Sequence, residues 1–464
     1  MPAASRLVGL LALGLVSACT LGPDYAGPEA PVPPTWTAPL PHGGTTVSLV
    51  GWWAQFKDPV LTQLLEKAEA DSPSLGQAWA AIDKARATVT SDRAEGLPAL
   101  TGDASLKRAR QDTMGQTVFS TTYSGGLDAS WELDLWGKVR RGTEAARARL
   151  EARVSDWHDA RVSLAAEVAD TYVQYRACKV LARLYADEAA SQNETARITR
   201  VAVTAGFTTP ADGALVAAGA ASATATLTQQ EAECDVLVKS LAALTGLDDP
   251  TVRAMLTQGP DVLPQPAAFD VAAVPTRTLT QRPDLAALER EMAAASAEIG
   301  QAQADRLPSV SLTGSITKSG TSLEGLKLSW IVGPAVSLPI FDWGKRQAAV
   351  ESARATFEQQ RAKYLEALRT AIKEAEQALV RLDGATRRTG DAQAAAAGYR
   401  TYFEATDRNW RAGGASVLDR EEARRNALGA ETTLVTVQRD QIQQWIALYK
   451  ALGGGWSPAT GESP

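Results

Sequence analysis

The 464-residue sequence predicts an α+β chain, internally duplicated, in which long helices alternate with pairs of strands. Three observations predict it. The stretch DLWGKVRRGTEAARARLE, beginning at Asp134, returns as FDWGKRQAAVESARATFE, so that Trp136, Gly137 and Lys138 recur 207 positions later as Trp343, Gly344 and Lys345. Four segments alternate apolar and polar residues with a period of two. Two stretches, from about Arg141 to Ala205 and from Arg346 to Ala412, contain no proline. At 1.5 Å per residue, roughly 65 helical residues reach about 100 Å, longer than an ordinary globular helix and suited to coiled-coil packing.

Composition removes several functions. A net charge of −6, with both signs interspersed, argues against a nucleic-acid partner. The two histidines, His42 and His158, are far apart, which leaves no imidazole dyad or histidine-rich metal site. No nucleophile elbow, phosphate-binding glycine loop or metal-ligand cluster occurs, so no enzymatic activity and no cofactor is expected.

From the N-terminus, MPAASR carries one arginine, LVGLLALGLV is an apolar core too short to span a membrane, and VSAC ends at Cys19. This resembles the lipobox of bacterial lipoproteins. It implies a signal peptide over 1–18, cleavage before Cys19, and a covalent lipid there, diacylglycerol on the thiol and an N-acyl chain on the amine. Thr20, in place of an Asp, implies the outer membrane. Residues 19–57 begin with six prolines from Pro23 to Pro39 and read as an extended tether. The segment CTLGPDYAGPEAPVP resembles the start of the lipoprotein branch of the outer-membrane factors, the TolC-like ducts of efflux pumps.

The repeats test that resemblance independently. DSPSLGQAWAAIDKARATVTSDRAEGLPALTGDAS aligns with QRPDLAALEREMAAASAEIGQAQADRLPSVSLTGS, with Pro73 and Pro98 matching Pro283 and Pro308 at an offset of 210. Past the first strand pair the offset is 207, and it relates Gly206 to Gly413, Asp212 to Asp419 and Gly246 to Gly453. The first repeat is expected over 58–246, a linker or equatorial segment over 247–274, the second repeat over 275–453 and a tail over 454–464. Asp58 is the expected N-cap of the first helix, with Pro59 in its first position.

Strands are expected at about 98–110, 122–135, 308–318 and 326–341. Alternation such as Tyr123, Leu127, Trp131 against polar neighbours fits a transmembrane barrel strand, and each strand alone would also fit a soluble sandwich. An open four-stranded sheet leaves edges that cannot sit in lipid, so the chain must oligomerise to close a barrel. The resemblance implies a homotrimer contributing twelve strands. It also implies a long antiparallel α-helical barrel in the periplasm, and partners in a periplasmic adaptor (membrane fusion protein) and an inner-membrane pump.

Gly206 and Gly413 permit chain reversal between the long helices. By resemblance this turn is the periplasmic tip, with Gly206, Phe207, Gly413 and Gly414 docking the adaptor. Asp419, Glu422 and Asp212 are then pore-gate candidates. Arg425 is a candidate i,i+3 latch for Glu422 or for a neighbouring subunit, and Trp410 a donor to Asp212. A solvated helix face would place the same charges without any gate. Cys178 and Cys234 lie 28 residues either side of Gly206, at one height in an antiparallel hairpin, which predicts a disulfide; two free buried thiols are the alternative.

At the doubled junction, Trp136 and Trp343 are expected in the interfacial aromatic belt, Gly137 and Gly344 at a sharp change of direction, and Lys138 and Lys345 near lipid phosphates. The expected function is an efflux exit duct passing drugs or other small toxic compounds. A type I secretion exit duct and a pore-less periplasmic tether are the alternatives.

Overall fold

The computed structural model describes residues 20–28, 52–113, 116–259, 261–266, 279, 282–322 and 325–454. The leader, Cys19, most of the proline-rich tether, much of the linker and all but Gly454 of the tail lie outside the described residues. The chain divides into two compact units. One holds 78–156 and 286–366 with the described N-terminal residues; the other holds the remainder.

The first unit carries a four-stranded antiparallel sheet in the order β1 (Ala99–Thr113), β2 (Gln116–Leu133), β3 (Ser309–Thr321), β4 (Lys327–Ser337). The two hairpins have the same register. Ala99 faces Ser130 in the first; Ser309, 210 residues after Ala99, faces Ser337, 207 residues after Ser130, in the second. The two offsets read from the sequence are therefore those of strand pairing. The join between repeats is the β2–β3 ladder, from Thr122 opposite Thr321 to Leu133 opposite Val310.

The strand limits differ from expectation in two places. In the first hairpin, pairing runs past the expected limits at 110 and 122, on to Thr113 and Gln116. There Thr117 donates to Asp112 at 2.6 Å across the strands, and Arg110 reaches Thr117 on β2 and Asp112 on its own strand. The last strand ends at Ser337 rather than near 341, because Pro339 follows and supplies no N–H to a ladder.

Each hairpin passes into a helix through a glycine with positive φ, Gly137 at +80° and Gly344 at +82°. Asp134 accepts from the N–H groups of Val139 and Arg140, and Asp342 from those of Gly344 and Arg346, which caps the long helices that follow. The helices are α1 (Pro59–Asp71), α2 (Pro73–Ala94), α3 (Lys138–Thr204), α4 (Pro210–Thr245), α5 (Asp249–Leu256), α6 (Pro283–Ala304), α7 (Lys345–Arg411) and α8 (Val417–Ala451). None is long and apolar enough to cross a membrane.

The main core lies in the second unit. Leu64, Val168, Tyr172, Leu241, Leu382 and Ile442 are fully buried there, and Trp52 stacks on Trp445 with ring centroids 4.2 Å apart. Asp58 caps α1 by accepting from Val60 and Leu61 N–H, with Pro59 at the first position as expected. Its second oxygen accepts from the Tyr172 hydroxyl at 2.6 Å, whose oxygen accepts in turn from Arg176. One cap thereby fixes α1 to α3.

Cys178 and Cys234 join α3 to α4 as a disulfide with Cα atoms 5.6 Å apart and 56 residues between them in sequence. A loop of that length contributes about 4 kcal/mol in the chain-entropy account. The Cys178→Ser, Cys234→Ser variant should lower the thermal midpoint of the second unit, and reductant should do the same to the wild type. Non-reducing peptide mapping that recovers two alkylatable thiols from folded protein would contradict the bond.

Candidate functional site

The sheet separates its two faces by chemistry. On one face the register aligns Leu106 with Tyr123, Leu127 with Ile316, and Ile316 with Trp330, continuing through Leu312, Val332 and Val336. The other face presents Asp103, Ser105, Ser124, Asp128, Ser315 and Thr317 at the intervening positions. The apolar face is not covered within the protomer: Leu106 is 69% exposed, Trp330 72% and Val332 63%. A contiguous exposed apolar face of this kind marks a membrane or an interaction surface. The sheet also ends in two open edges, β1 and β4. Ile331, 70% exposed on the polar face, departs from the pattern, as do Arg108 and Lys318, which the register places on the apolar face.

The second candidate region is the pair of interhelical turns. Gly206 and Gly413 adopt φ of +77° and +79°. After each, a capping box starts the returning helix: Thr209 with Asp212, and Ser416 with Asp419. The hydroxyls of Thr209 and Ser416 accept from the N–H groups of Asp212 and Asp419, whose carboxylates accept back from the capping residues. These hydrogen bonds hold both carboxyls below the usual range, the capping hydroxyl being the largest cause. Asp212 and Asp419 are equivalent, as the repeat requires, and each caps a helix.

Two expected contacts do not form within the protomer. Trp410 does not donate to Asp212, whose carboxylate is held by Thr208 and Thr209; its ring instead lies 4.6 Å from the Arg420 guanidinium. Glu422 and Arg425 are both exposed and make no ion pair, because each points to solvent from α8. Phe207 is 87% exposed, and Leu215 and Leu418 add exposed apolar surface at the turns that the sequence reading missed. At Gly414 a Cβ would meet the amide oxygen of the exposed Asn409 side chain at 2.3 Å, so a substitution there would displace Asn409 from its hydrogen bond to the Gly414 carbonyl.

The charged cluster that does form lies one position along the helix. Arg420 pairs with Asp407 at 2.6 Å and Glu421 at 3.1 Å, and donates to Thr195 at 2.8 Å. Arg424 contacts Glu421 and stands 3.3 Å from Glu188 on α3. These side chains are buried, Arg424 to 5% and Glu188 to 10% exposure. Burial pushes Arg424 down to about 10, against the pull of Glu188 and with the push of Arg420, so it remains a cation at neutral pH. One step along an α-helix turns the side chain by about 100°. The sequence reading took Asp419, Glu422 and Arg425, the exposed face; Arg420, Glu421 and Arg424 form the buried one. The signal was the three-to-four spacing of Glu188, Ser191 and Thr195 on α3 opposite them.

The junction residues differ between repeats. The Trp136 indole N–H donates to the Pro308 carbonyl at 2.7 Å, and Lys138 pairs with Asp305 at 2.7 Å, which holds its pKa above the ordinary value. Trp343 is 89% exposed with φ of +57°, and Lys345 has no ion pair. Among the described residues, the N-terminal segment sits on the first junction: Arg141 donates to Leu21 and Asp24, and Gly22 lies against Gly300. The equivalent positions in the second repeat are Ala348 and Thr90, so that seat is not duplicated.

Glu188→Gln removes one of the two carboxylates that face the buried Arg424 guanidinium and leaves Glu421 as its remaining anionic partner. Leaving a buried charge wholly uncompensated costs about 3–5 kcal/mol, and with Glu421 retained the loss is smaller than that. Hydrogen exchange at the turns should accelerate in this variant, whereas Glu422→Gln, on the exposed face, should leave it unchanged; equal effects would contradict the assignment of faces.

The outer membrane efflux protein family model matches residues 64–247 and 274–454, one match per repeat. Nodulation protein T of Rhizobium leguminosarum bv. trifolii is 31% identical over 462 residues, covering 96% of each chain. Antibiotic efflux pump outer membrane protein ArpC of Pseudomonas putida is 30% identical, covering 97% of this chain and 95% of that protein. The solved outer-membrane channel OprN superposes with a TM-score of 0.82 at 30% identity, covering 95% of this chain and 100% of that one. With both repeats matched, and the duplicated hairpin-and-helix plan present, the chain belongs to the outer membrane efflux protein family.

Proposed function

We propose that this chain is the outer-membrane exit duct of a tripartite efflux system, closed as a homotrimer and coupled through a periplasmic adaptor to an inner-membrane pump. The observation that carries the reading is the four-stranded sheet with one apolar face exposed and both edges open. Lipid satisfies the face, and only ring closure satisfies the edges, because an unpaired backbone group in hydrocarbon costs several kcal/mol. Three copies supply twelve strands. Relatives named for antibiotic, toluene and solvent efflux support small apolar or amphipathic cargo. The duct performs no covalent chemistry.

The turns serve as the docking tip. Gly206, Phe207, Gly413 and Gly414 offer the adaptor an exposed surface, to which Leu215 and Leu418 add. Asp212, Asp419, Glu422 and Arg425 are the exposed charges available to a pore at that end. A three-fold ring of carboxylates favours cations. Cys19 carries diacylglycerol and an N-acyl chain, which anchor the chain to the outer-membrane lipid. Trp136 and Trp343 mark the level at which each strand leaves the bilayer.

Planar-bilayer recording of the purified protein tests the reading: discrete conductance steps are expected, and a pore-less tether passes no ions. Leu127→Arg, on the apolar face, should disfavour membrane folding by about 2–4 kcal/mol if it sits near the midplane. Ser315→Arg, on the polar face, should insert normally and shift ion selectivity. Equal folding defects in the two variants would contradict the assignment of faces.

A further inference from the structure

The ring reading says that copies meet; the duplication says how. Within one chain, repeat one meets repeat two through the β2–β3 ladder and through contacts beside it in the first unit. Among these are Trp136 on the Pro308 carbonyl, Lys138 with Asp305, and Ala148 packed in one cluster with Ala297. The offsets that superpose the repeats, 207 for the residues from β2 onward and 210 for those of α2 and β1, carry each contact to a second one. Trp136 becomes Trp343 and Pro308 becomes Pro98. Lys138 becomes Lys345, and Asp305 becomes Glu95, with the acid retained. Ala148 and Ala297 become Ala355 and Ala87.

None of these second contacts forms within the protomer. Trp343 is 89% exposed, and Lys345, Glu95, Pro98, Ala355 and Ala87 are all exposed, whereas Ala148 and Ala297 are 8% and 1% exposed. Trp343 also holds a φ of +57°, an outlier for a bulky residue that Trp136 does not share. Arg149 pairs with Glu298 across the repeat join, and its counterpart pair is Thr356 and Thr88; Arg153 pairs with Glu291, and its counterpart is Gln360 and Ala81. Arg290 pairs with Glu151, and its counterpart is Ala80 and Glu358; there the acid is kept without the base, and Glu358 pairs with Arg361 of its own helix instead.

We propose that β4 and the start of α7 of one copy dock on α2 and β1 of the next by the same contacts that join the two repeats: the Trp343 indole donates to the Pro98 carbonyl, and Lys345 pairs with Glu95. The inference rests on the ring reading above and adds its register. Transferring the β2–β3 pairing sets Ser329 opposite Gln111 and Ser337 opposite Asp103 of the neighbour, which keeps apolar face with apolar face. Seated on Pro98, Trp343 takes the backbone of Trp136 and loses its positive φ.

Zero-length carbodiimide coupling of the assembled wild-type protein in detergent, followed by peptide mass spectrometry, tests the pairing. Lys138–Asp305 coupling is expected in every species, single chains included, as the internal reference. Lys345–Glu95 coupling is expected only in species at multiples of the chain mass. Lys345→Glu or Glu95→Lys should cut those species at least about tenfold, and the double exchange Glu95→Lys, Lys345→Glu should restore them. A ring established by native mass but lacking Lys345–Glu95 coupling, or coupling Lys345 to another acid, overturns the register and leaves the duct reading intact. A protein that stays a single chain in detergent and conducts nothing overturns the ring reading and the docking with it.

Discussion

Two rows of unpaired backbone groups, along β1 and β4, govern the rest of this structure. A sheet of four strands with an exposed apolar face is unstable in water and unusable in lipid as long as its edges are open. The apolar face calls for hydrocarbon; the edges call for more strands. Only closure against further copies answers both, and the alternation along every strand, apolar on one side and polar on the other, supplies the outer wall and the lumen of the same ring.

Duplication makes that closure economical in sequence. The two hairpins share a register, the two junction glycines share a conformation, and the two turns share a capping box. Where the repeats differ, the difference has a local cause. The N-terminal segment exists once per chain and, among the described residues, sits on the first junction, where Arg141 and Gly300 receive it. The disulfide staples only the first helical hairpin; Ala385 and Gln441 occupy the corresponding places in the second, where Gln441 donates to Thr386 instead. The buried cluster of Arg420, Arg424, Glu421 and Glu188 belongs to a helix contact between repeats and has no charged counterpart.

Features that depend on backbone conformation were the most legible in the sequence. Gly206 and Gly413, Gly137 and Gly344, and the Asp58–Pro59 helix start all mark places where few residue types fit. Strand alternation located the sheet, because a period of two survives without knowledge of partners. Side-chain pairing was less legible. An offset from a turn glycine counts residues but does not say which face of a helix is buried, so the buried cluster of Arg420, Glu421 and Arg424 beside the exposed Asp419, Glu422 and Arg425 is not legible from it. The extended first hairpin was missed because its pairing is held by polar contacts, Arg110, Asp112 and Thr117, that read as a loop. The unequal surroundings of Trp136 and Trp343 could not be read from two identical motifs, since they arise from which neighbour lies within the same chain.

Hydrogen exchange at the two edge strands tests the central claim most directly. In the protein inserted in a bilayer, the amides of Asp103–Thr113 and Lys327–Ser337 should be protected as strongly as those of the central strands β2 and β3, because a closed ring has no edge. Fast exchange along β1 and β4, with β2 and β3 protected, would mean that the sheet stays open and that the molecule is not a closed duct.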